Sequence, residues 1–158
     1  MFFEDWYRAS YPGLFAALTV VAADRDIARD ATDEAMVRAL ERWDRVQGMA
    51  SPVGWAYQVG VNLLRRRARR ATLERRLSST AEPVAPPELH PEVWGAIRSL
   101  PKRQRQAIAL RYLLDMTEAE VAEVMGVAVG TASATLAAAR AALSRQLAEL
   151  SDNPIEVT

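Results

Sequence analysis

The sequence has 158 residues, of which 50% are hydrophobic and 25% charged, a balance typical of folded globular proteins rather than disordered ones. Its 20 basic residues equal its 20 acidic ones, which argues against a chain coated with cations throughout. The lack of cysteine excludes disulfides and thiolate zinc, and one histidine argues against a metal site. No apolar stretch is long enough to predict a membrane span, and acids near the N-terminus are wrong for a secretory signal, so we expect a cytoplasmic protein.

The first half of the chain predicts three helices. Tyr7, Tyr11 and Leu14 repeat at helical spacing, and Asp24 and Asp26 are expected to cap the helix that follows. That second helix spans residues 27–43, and its expected inward positions are Ile27, Ala31, Ala35, Leu40 and Trp43. A third helix over residues 53–77 begins with apolar and aromatic residues and ends in arginines.

A linker over residues 78–89 follows, since this stretch is rich in proline and small polar residues and has no apolar period. Limited proteolysis is expected to cut here first. Pro91 then suits the first turn of a helix that ends near Leu100. The next helix spans residues 102–114, with Ala107, Leu110, Tyr112 and Leu114 as candidates for packing.

The end of the second half predicts a helix-turn-helix. Thr117 and Glu120 match a capping box at the start of a short helix, and Gly126 suits a turn. A long helix then runs from about Val127 to about Leu150, with Leu136, Leu143, Leu147 and Leu150 on one stripe. Because no period-2 alternation persists, the predicted fold is all-α: two small helical domains, residues 1–77 and 90–150, and a tail over 151–158.

Seven arginines fall within twelve positions in the middle of the chain, opposed by Glu74 alone. Like charges so close together repel each other on a helix, and a phosphate backbone would neutralise them. A solvated helix face is the alternative for such a cluster. The rings of Trp43, Trp55 and Tyr57 precede it and are candidates for stacking on unpaired bases, although such aromatics also serve as core residues.

The sequence holds none of the common catalytic motifs: no GxSxG, no phosphate-binding loop, no dinucleotide fingerprint and no HExxH. One histidine without cysteine also removes the commonest nucleophile and acid-base pairs. We therefore expect no enzymatic activity, no cofactor, no metal and no small-molecule substrate.

Two segments carry a specific resemblance. The run Asp26-Ile-Ala-Arg-Asp-Ala-Thr-Asp-Glu-Ala35, with Pro52-Val-Gly-Trp55 and Asn62-Leu-Leu-Arg65, resembles region two of the extracytoplasmic-function (ECF) sigma factors. The run Leu100-Pro-Lys-Arg-Gln-Arg-Gln-Ala-Ile108, followed by residues 117–126 and 129–143, is similar to region four of the same family. The resemblance covers nearly the whole chain except the linker and the tail.

The resemblance implies a sigma factor that binds core RNA polymerase and promoter DNA. On the matching positions, core polymerase would be bound by Asp30, Asp33, Glu34 and Arg38. The −10 element would be bound by Trp55, Asn62, Arg65, Arg66, Arg69 and Arg70. The −35 duplex would be contacted by Thr117, Gly130, Thr131, Ser133, Thr135 and Arg140.

The sequence departs from the family pattern in both regions. Members usually carry basic residues within the recognition helix, whereas positions 133, 135 and 138 are here Ser, Thr and Ala. Phosphate contacts dominate the affinity for duplex DNA, so we expect weak or unusual −35 binding. In region two, Asp33 replaces the usual glutamine and Arg29 the usual glutamate, which is expected to alter polymerase docking.

Two hypotheses follow from these departures. The chain either initiates transcription as an ECF sigma factor, or it is a sigma-like regulator that binds a protein partner and no longer recognises −35 DNA. Alanines over residues 132–141 predict a smooth face on the recognition helix, and they are also ordinary helix formers. That face is a candidate for binding an anti-sigma factor, the chain's own first domain or a second copy; its alanines are Ala132, Ala134, Ala137, Ala138 and Ala141.

Overall fold

The computed structural model describes residues 1–74 and 89–152, and over these ranges it contains eight helices and no strand. The predicted all-α class is confirmed. In the first half the helices are α1 (Phe3–Ala22), α2 (Arg25–Glu41), α3 (Trp43–Val46) and α4 (Pro52–Glu74). In the second half they are α5 (Pro91–Ser99), α6 (Lys102–Ile108), α7 (Glu118–Met125) and α8 (Val129–Ser151). The linker lies outside the described residues except for Leu89.

Several helix ends follow from local chemistry that the sequence predicts. The Asp24 side chain accepts a hydrogen bond from the Ile27 amide, 2.9 Å away, and so caps α2 as expected. Pro91 occupies the first turn of α5. The capping box at the start of α7 is present, with both the Thr117 and the Glu120 side chains accepting backbone amides.

The first half packs α1 against α2 and α4. Gly60 of α4 lets α1 approach closely, because a Cβ at this position would lie 2.5 Å from a methyl carbon of Leu18. In the second half α8 packs against α5, α6 and α7. The two halves also contact each other, chiefly through α1 and the segment after α6, so their buried apolar residues form one continuous cluster.

Two residues expected in the core are exposed. Leu40 is 54% exposed, because Ala31, Ala35 and Ala39 form the buried face of α2 and the next position points elsewhere. Tyr112 is 53% exposed. It lies in a π-helical segment, Ala109–Leu113, that continues α6 and shifts the register of the helix face.

The stripe predicted on α8 is buried only at its start. Leu136 is fully buried, whereas Leu143 and Leu147 are half-buried. Leu150 is 50% exposed, so the prediction that it belongs to the packed stripe is wrong. It lies one turn beyond the hydrogen bond between Ser99 and Gln146 that joins α8 to the end of α5.

Candidate nucleic-acid interface

The exposed side of α2 carries three carboxylates, and each has a partner within the first half. Asp30 forms an ion pair with Arg67 of α4 (Oδ2 to Nη1, 3.4 Å). Glu34 accepts a hydrogen bond from Nε of Arg38 one turn later, at 2.9 Å. Their side chains remain 69% and 49% exposed respectively, so both stay available to an approaching molecule.

The third carboxylate, Asp33, accepts a hydrogen bond from the Tyr11 hydroxyl of α1 at 2.6 Å. Burial raises the pKa of Tyr11, and the hydrogen bond and the negative charge of Asp33 raise it further. The phenol therefore stays a donor at neutral pH and holds Asp33 in a fixed direction. The structure thus brings the predicted polymerase-binding residues together on one helix face.

Two exposed apolar side chains lie on the same side of α2, and the sequence reasoning missed their exposure. Val37 follows Asp33 and Glu34 at helical spacing, and Leu40 follows Val37 by one turn. They are 50% and 54% exposed. Adjacent exposed apolar side chains rimmed by polar residues mark a candidate surface for protein contacts. The helical spacing of Val37 from the acids was the available signal.

The DNA-binding residues predicted on α4 are exposed along its second half. Asn62 is followed by four arginines at three- and four-residue steps, which places them on successive turns; these are Arg65, Arg66, Arg69 and Arg70. Arg75 and Arg76 of the cluster lie outside the described residues. Trp55, at the start of α4, is half-buried against the core. The exposed cations form a surface that fits a polyanion.

The aromatic residues that precede the cluster differ in exposure. Tyr57 is 2% exposed, so of the two roles left open for its ring, stacking on a base or packing in the core, the structure favours the core. Its burial raises the pKa to about 12, while Gln106 of α6 and the charge of Arg65 act in the opposite direction. Trp43 is half-buried, with its ring centroid 5.0 Å from that of Trp6.

A cleft separates the two halves beside the arginine surface. Asn62 and Arg65 line it from α4, and Arg103 and Met125 line it from the second half, over a volume of about 320 Å³. The end of α7 therefore faces the residues predicted to bind the −10 element. Part of that surface is turned toward the second half in this arrangement.

The helix-turn-helix is formed as predicted. Gly126 ends α7 in the left-handed conformation (φ 67°), which glycine adopts without the strain of a side chain. The axes of α7 and α8 differ by 104°, within the range expected for helices joined in this motif. Gly130 and Thr131 at the start of α8 are exposed.

The polar side chains predicted to contact the −35 duplex are mostly engaged within the chain. The Ser133 hydroxyl donates a short hydrogen bond to Glu118 of α7. Thr135 donates to the Thr131 carbonyl oxygen at 2.8 Å. Arg140 donates through Nε to the Tyr112 hydroxyl at 2.5 Å, and its Nη2 lies 3.8 Å from Glu118.

The alanine face of α8 is smaller than the sequence predicts. Four of its residues are exposed, namely Ala134, Ala137, Ala138 and Ala141. Ala132 is instead fully buried, so its assignment to this face is wrong. It lies four residues before Leu136 and seven before Ala139, which places all three on the side of α8 that packs into the core.

Within the described ranges, no group of three His, Cys, Asp or Glu residues is placed to hold a metal ion. Over the same residues, no single helix is both long and apolar enough to cross a membrane.

Comparison with protein families matches two parts of the chain. Residues 6–74 match Sigma-70 region 2, and residues 91–143 match Sigma-70 region 4. The first range contains the acidic face of α2 and the described arginines of α4, and the second contains the helix-turn-helix. The order of the two matches is the one that the sequence resemblance predicts.

One curated relative is the ECF RNA polymerase sigma factor EcfG of Rhodopseudomonas palustris (strain TIE-1), with 30% identity over 153 residues, 91% of this chain and 84% of the relative. Among solved structures, the sigma factor RpoE in complex with the anti-sigma factor NepR from Bartonella quintana gives a TM-score of 0.74 at 20% identity, covering 92% of this chain and 96% of that one. CnrH in complex with the cytosolic domain of CnrY gives a TM-score of 0.63 at 22% identity, covering 96% of this chain and 89% of that one. These structures share the fold.

Proposed function

The chain belongs to the ECF sigma factors of the sigma-70 family, which bind core RNA polymerase and direct it to promoters, and from this premise we propose which surface performs each step. The acidic face of α2, with Val37 and Leu40, docks core polymerase. The exposed arginines of α4 capture −10 DNA. The α7–α8 unit lies over the −35 duplex with reduced affinity. The protein acts in the cytoplasm without enzymatic chemistry of its own.

The composition of the α2 face is the observation that carries the docking proposal. Its carboxylates are held in fixed directions by Arg67, Tyr11 and Arg38, so little side-chain entropy is lost when a partner cation approaches. Val37 and Leu40 supply apolar area beside them. Binding energy in protein interfaces concentrates in a few residues near the centre that are shielded from water, and charges at the rim steer association.

The arginine surface of α4 supports −10 capture by a separate argument. Arg65, Arg66, Arg69 and Arg70 are exposed on consecutive turns, and Arg67 is the one described arginine of the cluster that an acid neutralises, through Asp30. A strand of melted DNA offers phosphates that replace the repulsion among these cations with attraction. Neither the site nor the comparisons favour the alternative of a regulator that does not initiate transcription.

A protein that inhibits this sigma factor is a further expected partner. The solved structure of RpoE holds the anti-sigma factor NepR, and that of CnrH holds the cytosolic domain of CnrY. We propose that this chain also binds an anti-sigma factor. The exposed alanines of α8 and a second copy of the chain remain candidates for protein contacts.

A pull-down of core RNA polymerase tests the docking surface. The double variant Asp30→Arg, Glu34→Arg reverses two charges of the α2 face and is expected to lower binding at least about tenfold, because like charges then meet. Glu149→Arg with Asp152→Arg makes the same charge change on exposed residues at the end of the chain's described part and should bind as the wild type does. Absence of binding by every form, including the wild type, would remove the proposal.

Arg67→Ala tests whether polymerase docking depends on the ion pair that joins α4 to α2. It breaks the ion pair with Asp30 without altering the α2 face itself. Exposed ion pairs contribute little to stability, so this variant should fold, and it should lose no more polymerase binding than the small entropy cost of freeing the Asp30 side chain. Val37→Ser with Leu40→Ser should instead weaken binding about tenfold or more while leaving helix content unchanged. In vitro transcription with core enzyme and the same variants then links docking to initiation.

A further inference from the structure

Arg140 is the one charged residue of α8 from Val129 to Ser144, and its cation is already paired within the chain. Its Nε donates to the Tyr112 hydroxyl at 2.5 Å, and its Nη2 lies 3.8 Å from Oε1 of Glu118. The guanidinium carbon also lies 5.6 Å from the centre of the Tyr112 ring, within the range of a cation–π contact. The group that DNA phosphates would attract is thus held by a phenol and a carboxylate.

The same carboxylate holds a second polar side chain of the recognition helix. Glu118 Oε2 accepts a short hydrogen bond from the hydroxyl of Ser133. Ser133 and Arg140 are seven residues apart, two helical turns, so they lie on one face of α8. Glu118 belongs to the first turn of α7, and its two oxygens therefore bridge the helices of the motif on the side where polar groups would meet DNA.

The charge of the unit reinforces this arrangement. Residues 117–151 contain four acids and two arginines, a net charge of −2; the acids are Glu118, Glu120, Glu123 and Glu149, and the arginines are Arg140 and Arg145. Duplex DNA carries one negative charge per about 1.7 Å of helix axis, so an acidic unit gains nothing from counterion release unless its cations face the phosphates.

We propose that Glu118 is a specificity-determining residue of this sigma factor: it competes with DNA for Arg140 and Ser133 and thereby keeps the affinity of α7–α8 for duplex DNA low. Promoter choice then depends more on the −10 surface of α4. The inference rests on the proposed function in taking α7–α8 as the duplex-binding unit, and it does not require polymerase docking.

The side chains of Glu118 and Arg140 are 39% and 42% exposed, so the pair is weakened by solvent screening. A DNA phosphate can therefore replace Glu118, and removing the competitor should raise affinity modestly. Glu118→Gln is expected to increase the affinity for duplex about three- to tenfold. The plot of log affinity against log salt should also steepen by about 0.9, the value for one additional phosphate contact.

The test measures fluorescence anisotropy of a labelled mixed-sequence duplex of about 30 base pairs with the full chain and no polymerase, from about 50 to 200 mM salt. Glu123→Gln is the matched control, because it removes the same charge from an exposed position of α7 and has no bond to α8 among the described contacts. It is expected to change affinity less than about twofold. Circular dichroism confirms equal helix content in both variants.

The double variant Glu118→Gln, Arg140→Ala should lose the gain, because the released cation is absent. Glu118→Ala should show the same gain in duplex affinity as Glu118→Gln, which would show that the gain comes from removing the carboxylate and not from the glutamine introduced. Equal gains in the Glu118 and Glu123 variants, a gain that survives the loss of Arg140, or no duplex binding by Glu118→Gln at the lowest salt would each overturn the proposal. Since polymerase is absent, a failure of docking cannot produce these outcomes.

Discussion

Gly13 of α1 lies directly against the backbone carbonyl of Leu113: a Cβ at position 13 would be 2.3 Å from the Leu113 oxygen. This contact joins the first half of the chain to the π-helical segment of the second. A backbone carbonyl cannot move aside as a flexible side chain can, so the closeness of the halves depends on the missing side chain of one glycine.

Gly13→Ala is therefore expected to destabilise the packed arrangement of the two halves by about 1–3 kcal/mol, the cost of overpacking a fitted contact. Chemical denaturation measures the change in the free energy of unfolding, and small-angle scattering measures the radius of gyration. The radius should increase if the halves separate instead of unfolding.

Gly95→Ala is the matched control, because no atom lies within 4 Å of a Cβ at that position of α5. Alanine in a helix interior is more favourable than glycine, so this variant should be neutral or more stable by about 0.5–1 kcal/mol. Equal losses of stability in both variants would contradict the role assigned to Gly13.

The buried phenol of Tyr57 predicts a loss of stability at alkaline pH. Burial raises its pKa from 10.0 to about 12, so the folded protein retains the proton that the unfolded chain releases above pH 10. The stabilisation is complete below pH 10 and decreases as the pH rises toward 12, by about 2 kcal/mol at the upper end. Urea denaturation at a series of pH values measures this decrease.

Tyr57→Phe has no proton to lose and should show a flatter dependence of unfolding free energy on pH over the same interval. Tyr7→Phe, which removes the hydroxyl of a ring that is 37% exposed, serves as the control and should follow the wild-type curve. A wild-type slope in Tyr57→Phe would mean that other groups govern alkaline unfolding.

Local chemistry made much of the fold predictable from the sequence. Asp24, Thr117 and Gly126 act through backbone groups within a few residues, so the helix ends that they define follow from spacing alone. The exposure of Tyr112 could not be predicted, because the π-helical segment shifts the helix face. The burial of Tyr57 could not be predicted either, since it involves Gln106 of the other half.

In the candidate site, too, features set by local spacing could be predicted and contacts between distant residues could not. The spacing of the arginines on α4 predicted an exposed basic surface, and the resemblance predicted the acids of α2. The engagement of Arg140 by Tyr112 and Glu118 joins residues 28 and 22 positions apart, and no period in the sequence indicates such a contact. Assignment of the individual residues to polymerase, −10 and −35 contacts stays a prediction.

The capping box gives a test of whether Thr117 acts on structure or on DNA. Its hydroxyl accepts the Glu120 amide at 3.2 Å, and Glu120 accepts the Thr117 amide at 2.7 Å. Thr117→Ala should lower stability by about 1 kcal/mol with an unchanged salt slope of duplex binding. Thr135→Ala removes a hydroxyl whose hydrogen bond is to the Thr131 carbonyl oxygen of the same helix, and it should change stability by less than about 0.5 kcal/mol. A reduced salt slope in Thr117→Ala would assign this residue to DNA.

The exposed arginines of α4 predict how −10 binding depends on salt. Arg69→Ala with Arg70→Ala removes two cations that have no acid partner among the described residues. Each phosphate contact with a single strand contributes about 0.7 to the slope of log affinity against log salt, so the slope should fall by up to about 1.4.

The measurement is binding of a labelled single-stranded −10 probe by the complex of this chain with core polymerase. Arg42→Ala with Arg45→Ala makes the same charge change at the junction of α2 and α3 and within α3, on exposed residues outside the arginine surface, and should leave the slope unchanged. Polymerase pull-down should be equal for both double variants, because neither replaces a carboxylate or an apolar residue of the α2 face. If the slope fell equally in both, net charge rather than a defined surface of α4 would account for single-strand binding, and the assignment of Arg69 and Arg70 to −10 capture would be wrong.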